Sequence, residues 1–409
     1  MCLDFGTDGR TSVEVSELVQ LRARPAPARF ALFEKGFRPL FLLAALFAVG
    51  GIPLWLVVRR GALAVGDPLL PSVWHAHEMV FGFAGAVIAG FLLTAAANWT
   101  KRETLVGFWL AALCVVWIAG RAALLLGLDA RIAAGASLAF FPLLALAVGR
   151  PIALAQSRRN YGIVGLLVLL FAAQGLTHLG ARAGDVAWQT LGPRLGLGLV
   201  VVLVLVIGGR IIPLFTKNAT GAEDIRTYPW LDRASIATAL AAVVLDAASV
   251  RGPALAILLG LAALTAAARA IRWGAARSFG EPLLWVLHLG YAFVPLGFAL
   301  RAAAVLSPRV DDSSALHAWT VGAIGTLVLG IMTRVSLGHT GRPLRAGKVM
   351  GVAFALVAIA ALVRVIGPLA GLASPALDAS GGLFALAYAL YLVRIGPSLL
   401  VSRPDGKPG

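Results

Sequence analysis

Charge is scarce in this sequence and cysteine nearly absent, and each shortage removes a class of protein. Only 13% of the 409 residues are charged while 59% are hydrophobic, and a mean hydropathy of +0.88 is far above what a water-soluble globule carries. Two cysteines, Cys2 in a polar stretch and Cys114 inside an apolar run, exclude a disulfide framework, a C-x-x-C-H haem attachment and a zinc ribbon. Any cofactor must rely on other ligands. There is no glycine-rich phosphate loop between a strand and a helix, no H-E-x-x-H and no Ser-His-Asp set. Acidic residues are also few, 19 against 35 Lys plus Arg. In so apolar a chain, that excess of 16 is a topology signal rather than a sign of nucleic acid.

What is present is apolar sequence in spanning lengths. A bilayer core takes about 20 apolar residues per helical crossing, and windows of that kind recur at 37–58, 77–97, 105–126, 132–149, 162–181, 194–215, 234–250, 253–271, 283–305, 316–337, 349–370 and 377–400. Gly66-Asp67-Pro68, Ser157-Arg158-Arg159-Asn160 and Ser307-Pro308-Arg309 break them, as turns do. The runs are continuous, whereas membrane strands alternate, so the expected class is an all-α polytopic membrane protein of about twelve helices. When loops are assigned alternately to two sides, 25 of the 35 Lys and Arg fall on the side of both termini, which places both termini in the cytoplasm. Residues 1–30 lack the short apolar core of a signal peptide and read, with 403–409, as cytoplasmic tails. Trp55, Trp74, Trp99, Trp188, Trp285 and Trp319 lie near predicted helix ends, as interfacial anchors or bundle packing.

The second and tenth windows share a pattern. His77, Gly82, Gly85, Gly90, Thr100, Arg102 and Gly107 recur 240 positions later as His317, Gly322, Gly325, Gly330, Thr340, Arg342 and Gly347. Gly198, Thr216 and Lys217 in the sixth window echo it, with Pro193 in the place of the histidine. Three four-helix units follow, 31–158, 159–278 and 279–402, in one membrane domain.

Buried polar residues in such a chain are where chemistry is sought. Of the six histidines, His77 and His317 begin parallel helices at matching depth, and two such imidazoles suit the two faces of an iron porphyrin. His75 and His178 belong to the same membrane face; His288 and His339 lie toward the other. His75 and His77, two apart, face different sides of a helix. For each, the plain alternative is an interfacial imidazole bonded to a carbonyl or a headgroup. Arg121, Arg301 and Arg364 sit near the ends of the third, ninth and eleventh helices. They are expected either to pair with carboxylates, such as the propionates of a haem, or to snorkel. Glu78 and Asp246 are the acids expected to be buried, as relays or as partners of a nearby Arg.

The stretch Trp74-His75-Ala76-His77-Glu78-Met79-Val80-Phe81-Gly82-Phe83-Ala84-Gly85 resembles the NnrS family of bacterial membrane proteins. So do, in order, Gly36-Phe37-Arg38-Pro39, Asn98-Trp99-Thr100, Gly120-Arg121, Gly209-Arg210-Ile211-Ile212-Pro213, Phe215-Thr216, His288-Leu289-Gly290-Tyr291, Met332-Thr333-Arg334 and Leu337-Gly338-His339-Thr340-Gly341-Arg342-Pro343. The likeness spans about residues 30 to 400. Ala97 departs from it, standing where proline is expected, which bears on where the second helix ends. The resemblance implies a twelve-helix haem- and copper-containing protein of the bacterial cytoplasmic (inner) membrane, linked to denitrification and to protection against nitric oxide and nitrosative stress. No reaction is implied. The threefold repeat also resembles the architecture of the heme-copper oxidase large subunit, in which a haem lies between the second and tenth helices. In those enzymes copper is held by histidines of the sixth and seventh helices, and residues 194–250 here contain none, so a binuclear oxygen- or NO-reducing centre is not expected.

The sequence therefore points to a haem b protein with His77 and His317 as ligands, its partners being the bilayer and nitric oxide or derived species. Copper, if bound, would use His75, His178, His288 or His339. Two other readings stay open: a transporter or metal exporter with a polar path through Arg121, Arg364 and Glu78, and a quinol-linked oxidoreductase.

Overall fold

Lipid offers no hydrogen bonds to a backbone, so long apolar runs are stable there as helices that satisfy their own N–H and C=O groups. The computed structural model, which describes residues 29–65 and 69–407, is built in that way. Twelve long helices follow one another: α1 (Phe37–Arg59), α2 (Pro71–Thr100), α3 (Gly107–Leu125), α4 (Ala130–Leu154), α5 (Arg158–Ala183), α6 (Val186–Thr220), α7 (Pro229–Ala247), α8 (Pro253–Ala270), α9 (Pro282–Leu306), α10 (Asp312–His339), α11 (Gly347–Leu369) and α12 (Ala373–Arg394), then a short α13 (Gly396–Leu400). Each matches a predicted window. Nearly all of the expected amino-terminal tail, with Cys2, and the Gly66-Asp67-Pro68 break lie outside the described residues.

Eleven of these helices are long and apolar enough to cross a membrane. The exception, α7, carries Asp232, Arg233 and Asp246 in 19 residues. The ends of the chain decide its status. Phe30 bridges Val401, the N–H of Ala31 donates to the carbonyl of Leu400 at 2.9 Å, and that of Ser402 donates to Arg29 at 2.9 Å. Ends joined in this way lie on one face, which requires an even number of crossings, so α7 completes the twelve. Its charges are met from neighbouring helices: Asp232 pairs with the buried Arg269 at 2.6 Å and Asp246 with Arg301 at 3.0 Å. The Arg269 guanidinium lies across Gly209, where any β-carbon would stand 1.8 Å from its Nη2.

Three helices occupy the inside. In its most apolar stretch α2 is 89% buried, and α6 and α10 are 67% buried, against 33% for α1, α4, α5 and α8. Helix α12 packs back on α1, closing the outer ring. The repeated glycines serve this close packing, Gly90 against Phe41 and Gly330 against Val286. Trp74 and Trp319 are buried in the bundle, whereas Trp99 and Trp188 are exposed, as interfacial anchors would be.

Both α2 and α10 widen into a π-helical turn directly after the repeated histidine, Glu78–Ala84 after His77 and Ala318–Gly325 after His317. A π turn shifts the backbone bonds by one residue and frees carbonyls. Side chains take these up: Trp117 Nε1 donates to the Gly82 carbonyl at 3.1 Å, and the Tyr388 hydroxyl to that of Gly325 at 2.9 Å. The second helix continues past Ala97 to Thr100 and stops at Lys101, whose left-handed backbone (φ 54°) ends it without a proline.

Candidate functional site

The start of α2 divides two polar compartments, because the chain is helical through His75 and His77 and their side chains leave on different sides. The first compartment lies among α2, α3, α4 and α5. His77 is fully buried; its Nδ1 is 2.9 Å from Glu78 Oε1 and its Nε2 is 3.2 Å from the amide nitrogen of Gln174. That nitrogen also donates to the Ser137 carbonyl and, at 2.8 Å, to the Ser137 hydroxyl, which fixes the amide orientation. The Nε2 of His77 is therefore an acceptor, and its Nδ1–H donates to Glu78. Glu78 Oε2 forms an ion pair with Arg121 Nε at 2.6 Å, and Arg121 donates to the Ser137 hydroxyl at 3.0 Å. Five side chains thus form a closed ring in which both nitrogens of His77 are engaged. His178 stands edge-on to His77 with ring centroids 5.2 Å apart.

The second compartment is a cavity of about 460 Å³, partly open, lined by α1, α2, α6, α10, α11 and α12. Its volume is in the range of about 300–1,000 Å³ typical of small-molecule and cofactor sites. His75 from α2 and His317 from α10 both line it, with Pro193 and Arg194 from α6 and Arg364 from α11. His75 stacks on Trp55, with centroids 4.4 Å apart and planes within 10°. His317 Nδ1 donates to the Ser313 carbonyl at 2.6 Å. A single ring proton committed there leaves the lone pair on Nε2, the arrangement usual for a ligating histidine. Most of the remaining wall is apolar, including Phe83, Leu197 and Phe384.

The other predicted residues are dispersed. His288 Nε2 donates to the Thr216 hydroxyl at 2.9 Å, that hydroxyl giving its own proton to Ile212. His339 packs beside Phe37 at 5.7 Å. Arg301 is held by Asp246 and by Asp312. Among the described residues no three His, Cys, Asp or Glu side chains converge into a group able to hold a metal ion. The repeat pairs His77 with His317, but the wall that carries His317 carries His75. From the sequence Trp55 is expected as an anchor or packing residue and not at a site, and Ser313 and Gln174 are not singled out. Gln174 alone had a signal there, as an amide within an apolar run, and Ser313 stands one helical turn before His317.

Fold and site together define a polytopic helical membrane protein with a central apolar cavity faced by two imidazoles. Over residues 31–403 the chain matches the model described as NnrS protein, and it belongs to that family. Among curated proteins none matches it.

Proposed function

We propose that the cavity binds haem b and that the protein acts, as its family does, in the bacterial response to nitric oxide. One observation carries this reading: imidazoles from α2 and α10 face one apolar cavity, and His317 has its Nδ1–H tied to a backbone carbonyl. These residues fit the group. His317 and His75 would be its ligands, with Trp55 holding the plane of the His75 ring and Phe83, Leu197 and Phe384 excluding water. When bound, the haem supplies electron transfer if both imidazoles ligate it, or a site for nitric oxide if one position stays open. His77, ringed by Glu78 and Gln174, holds α2 in place beside the cavity rather than serving the iron. The remaining imidazoles do not fit a multi-histidine copper centre, since no three of them gather. Arg121 and Glu78 neutralise each other away from Arg364, which weighs against a single polar transport path through all three.

The test is an absorption spectrum of detergent-purified protein with and without dithionite. Reduced b-type bands are expected in the wild type and in His77→Ala, and are expected to vanish in His317→Ala and fall or shift in His75→Ala. A colourless folded wild type, or bands that survive His317→Ala unchanged, would refute the assignment. Nitric oxide added to the reduced form then separates an open iron, whose bands move, from a closed one.

A further inference from the structure

The three arginines singled out by the sequence differ in what neutralises them. Arg121 is paired with Glu78, and Arg301 with Asp246 and Asp312. Arg364 is only 6% exposed and lines the cavity. The partner of its guanidinium is the Ser313 hydroxyl, 2.7 Å from Nη2. No carboxylate reaches it among the described residues, while Asp312 on the same wall is already engaged by Arg301 and, at 3.7 Å, by Arg194. Asp311 acts on it only from beyond ion-pair distance and caps the N–H of Ser314. A buried guanidinium without a contacting carboxylate is costly in a membrane protein, and its remaining donors form a fork suited to one. The missing anion is therefore to be sought in whatever fills the cavity.

We propose that Arg364 is the carboxylate anchor of the cavity, and that Ser313 couples this anchor to His317. The hydroxyl of Ser313 accepts from Arg364, and its carbonyl accepts from the imidazole. One residue thus links the group that holds the edge of an occupant to the group that meets its centre. Arg121 and Arg301 have no part in this, because their charges are already satisfied. The carboxylate belongs either to a tetrapyrrole side chain or to an acyl-chain acid. The inference rests on the reading of the cavity as a tetrapyrrole site, and the experiment separates the two.

The full chain in detergent is titrated by fluorescence with metal-free protoporphyrin IX, which has two carboxylates and no iron to ligate, and with its dimethyl ester. The wild type is expected to bind the acid about 10- to 100-fold more tightly than the ester, the weight of a charge-assisted hydrogen bond. Arg364→Gln should bring the acid down to the level of the ester, and Arg364→Lys should restore part of the difference. A wild type that binds acid and ester equally overturns the anchoring of a tetrapyrrole, with no variant whose folding could be questioned. The same pair is run with a fluorescent fatty acid and its methyl ester. If Arg364 discriminates only between these, the anchor stands and the tetrapyrrole reading falls; if it discriminates in neither pair, the anchor is refuted even where haem still loads.

Discussion

His77 and His317 stand 240 residues apart at the mouths of matching π turns, and they differ in what the second ring nitrogen meets. Each has an arginine from the helix that follows, Arg121 on α3 and Arg364 on α11. In the first region Glu78 sits between imidazole and guanidinium and neutralises the pair, and Gln174 takes the remaining nitrogen. In the third region a neutral residue, Ser313, sits between them. Ala318 stands where the repeat would place a second Glu78, so the guanidinium has no carboxylate in contact and the imidazole keeps a lone pair, both bordering the cavity. Two similar helix starts thus differ in polar partners: the first is closed on itself within the bundle, while the second faces the cavity proposed to take an occupant.

The sharpest way to break this comparison is to exchange its terms. His317→Ala should remove all reduced haem absorbance while His77→Ala keeps it; equal losses in both would mean that the two regions are not distinct. Next in size is Glu78→Ala, which strands Arg121 in the interior and should cost about 3–5 kcal/mol, read as a fall in thermal midpoint in detergent. Combining it with Arg121→Met should recover part of that loss, since no guanidinium is then left unpaired in the interior; additive losses would deny the pairing. His77→Ala itself should destabilise by about 1–3 kcal/mol, because it removes the donor to one oxygen of Glu78 and leaves a void in the ring. The smallest effect is expected from Ser313→Ala. It keeps the carbonyl but removes the hydroxyl, costs about 1 kcal/mol, and should shift the haem bands or midpoint potential without abolishing loading.

Much of the fold could be read from the sequence because lipid imposes one rule throughout: apolar runs of sufficient length become helices. All twelve windows became helices, and even the charged α7 was expected, though only its partners on other helices, Arg269 and Arg301, explain how it tolerates Asp232 and Asp246. The site was legible in kind but not in grouping. The repeat singled out His77 with His317, since periodicity detects ancestry of position. The tie from Nδ1 of His77 to Glu78 is between neighbours in sequence, but that from Nε2 to Gln174 depends on where α5 sits relative to α2, which no local pattern encodes. The rule that residues two apart face different sides did separate His75 from His77; which side held the cavity was tertiary information. Arg301 and Arg364 looked alike as lone cations near helix ends, and only the approach of Asp246 from α7 distinguishes them.

The joined ends of the chain carry one more consequence. Arg38, fully buried near the start of α1, donates from Nη1 to the carbonyls of Leu399 at 3.0 Å and Val401 at 2.8 Å. One side chain of α1 thus caps carbonyls left free where α13 ends, so the seam at which the ring of helices shuts is fastened from inside by a cation rather than by apolar packing alone.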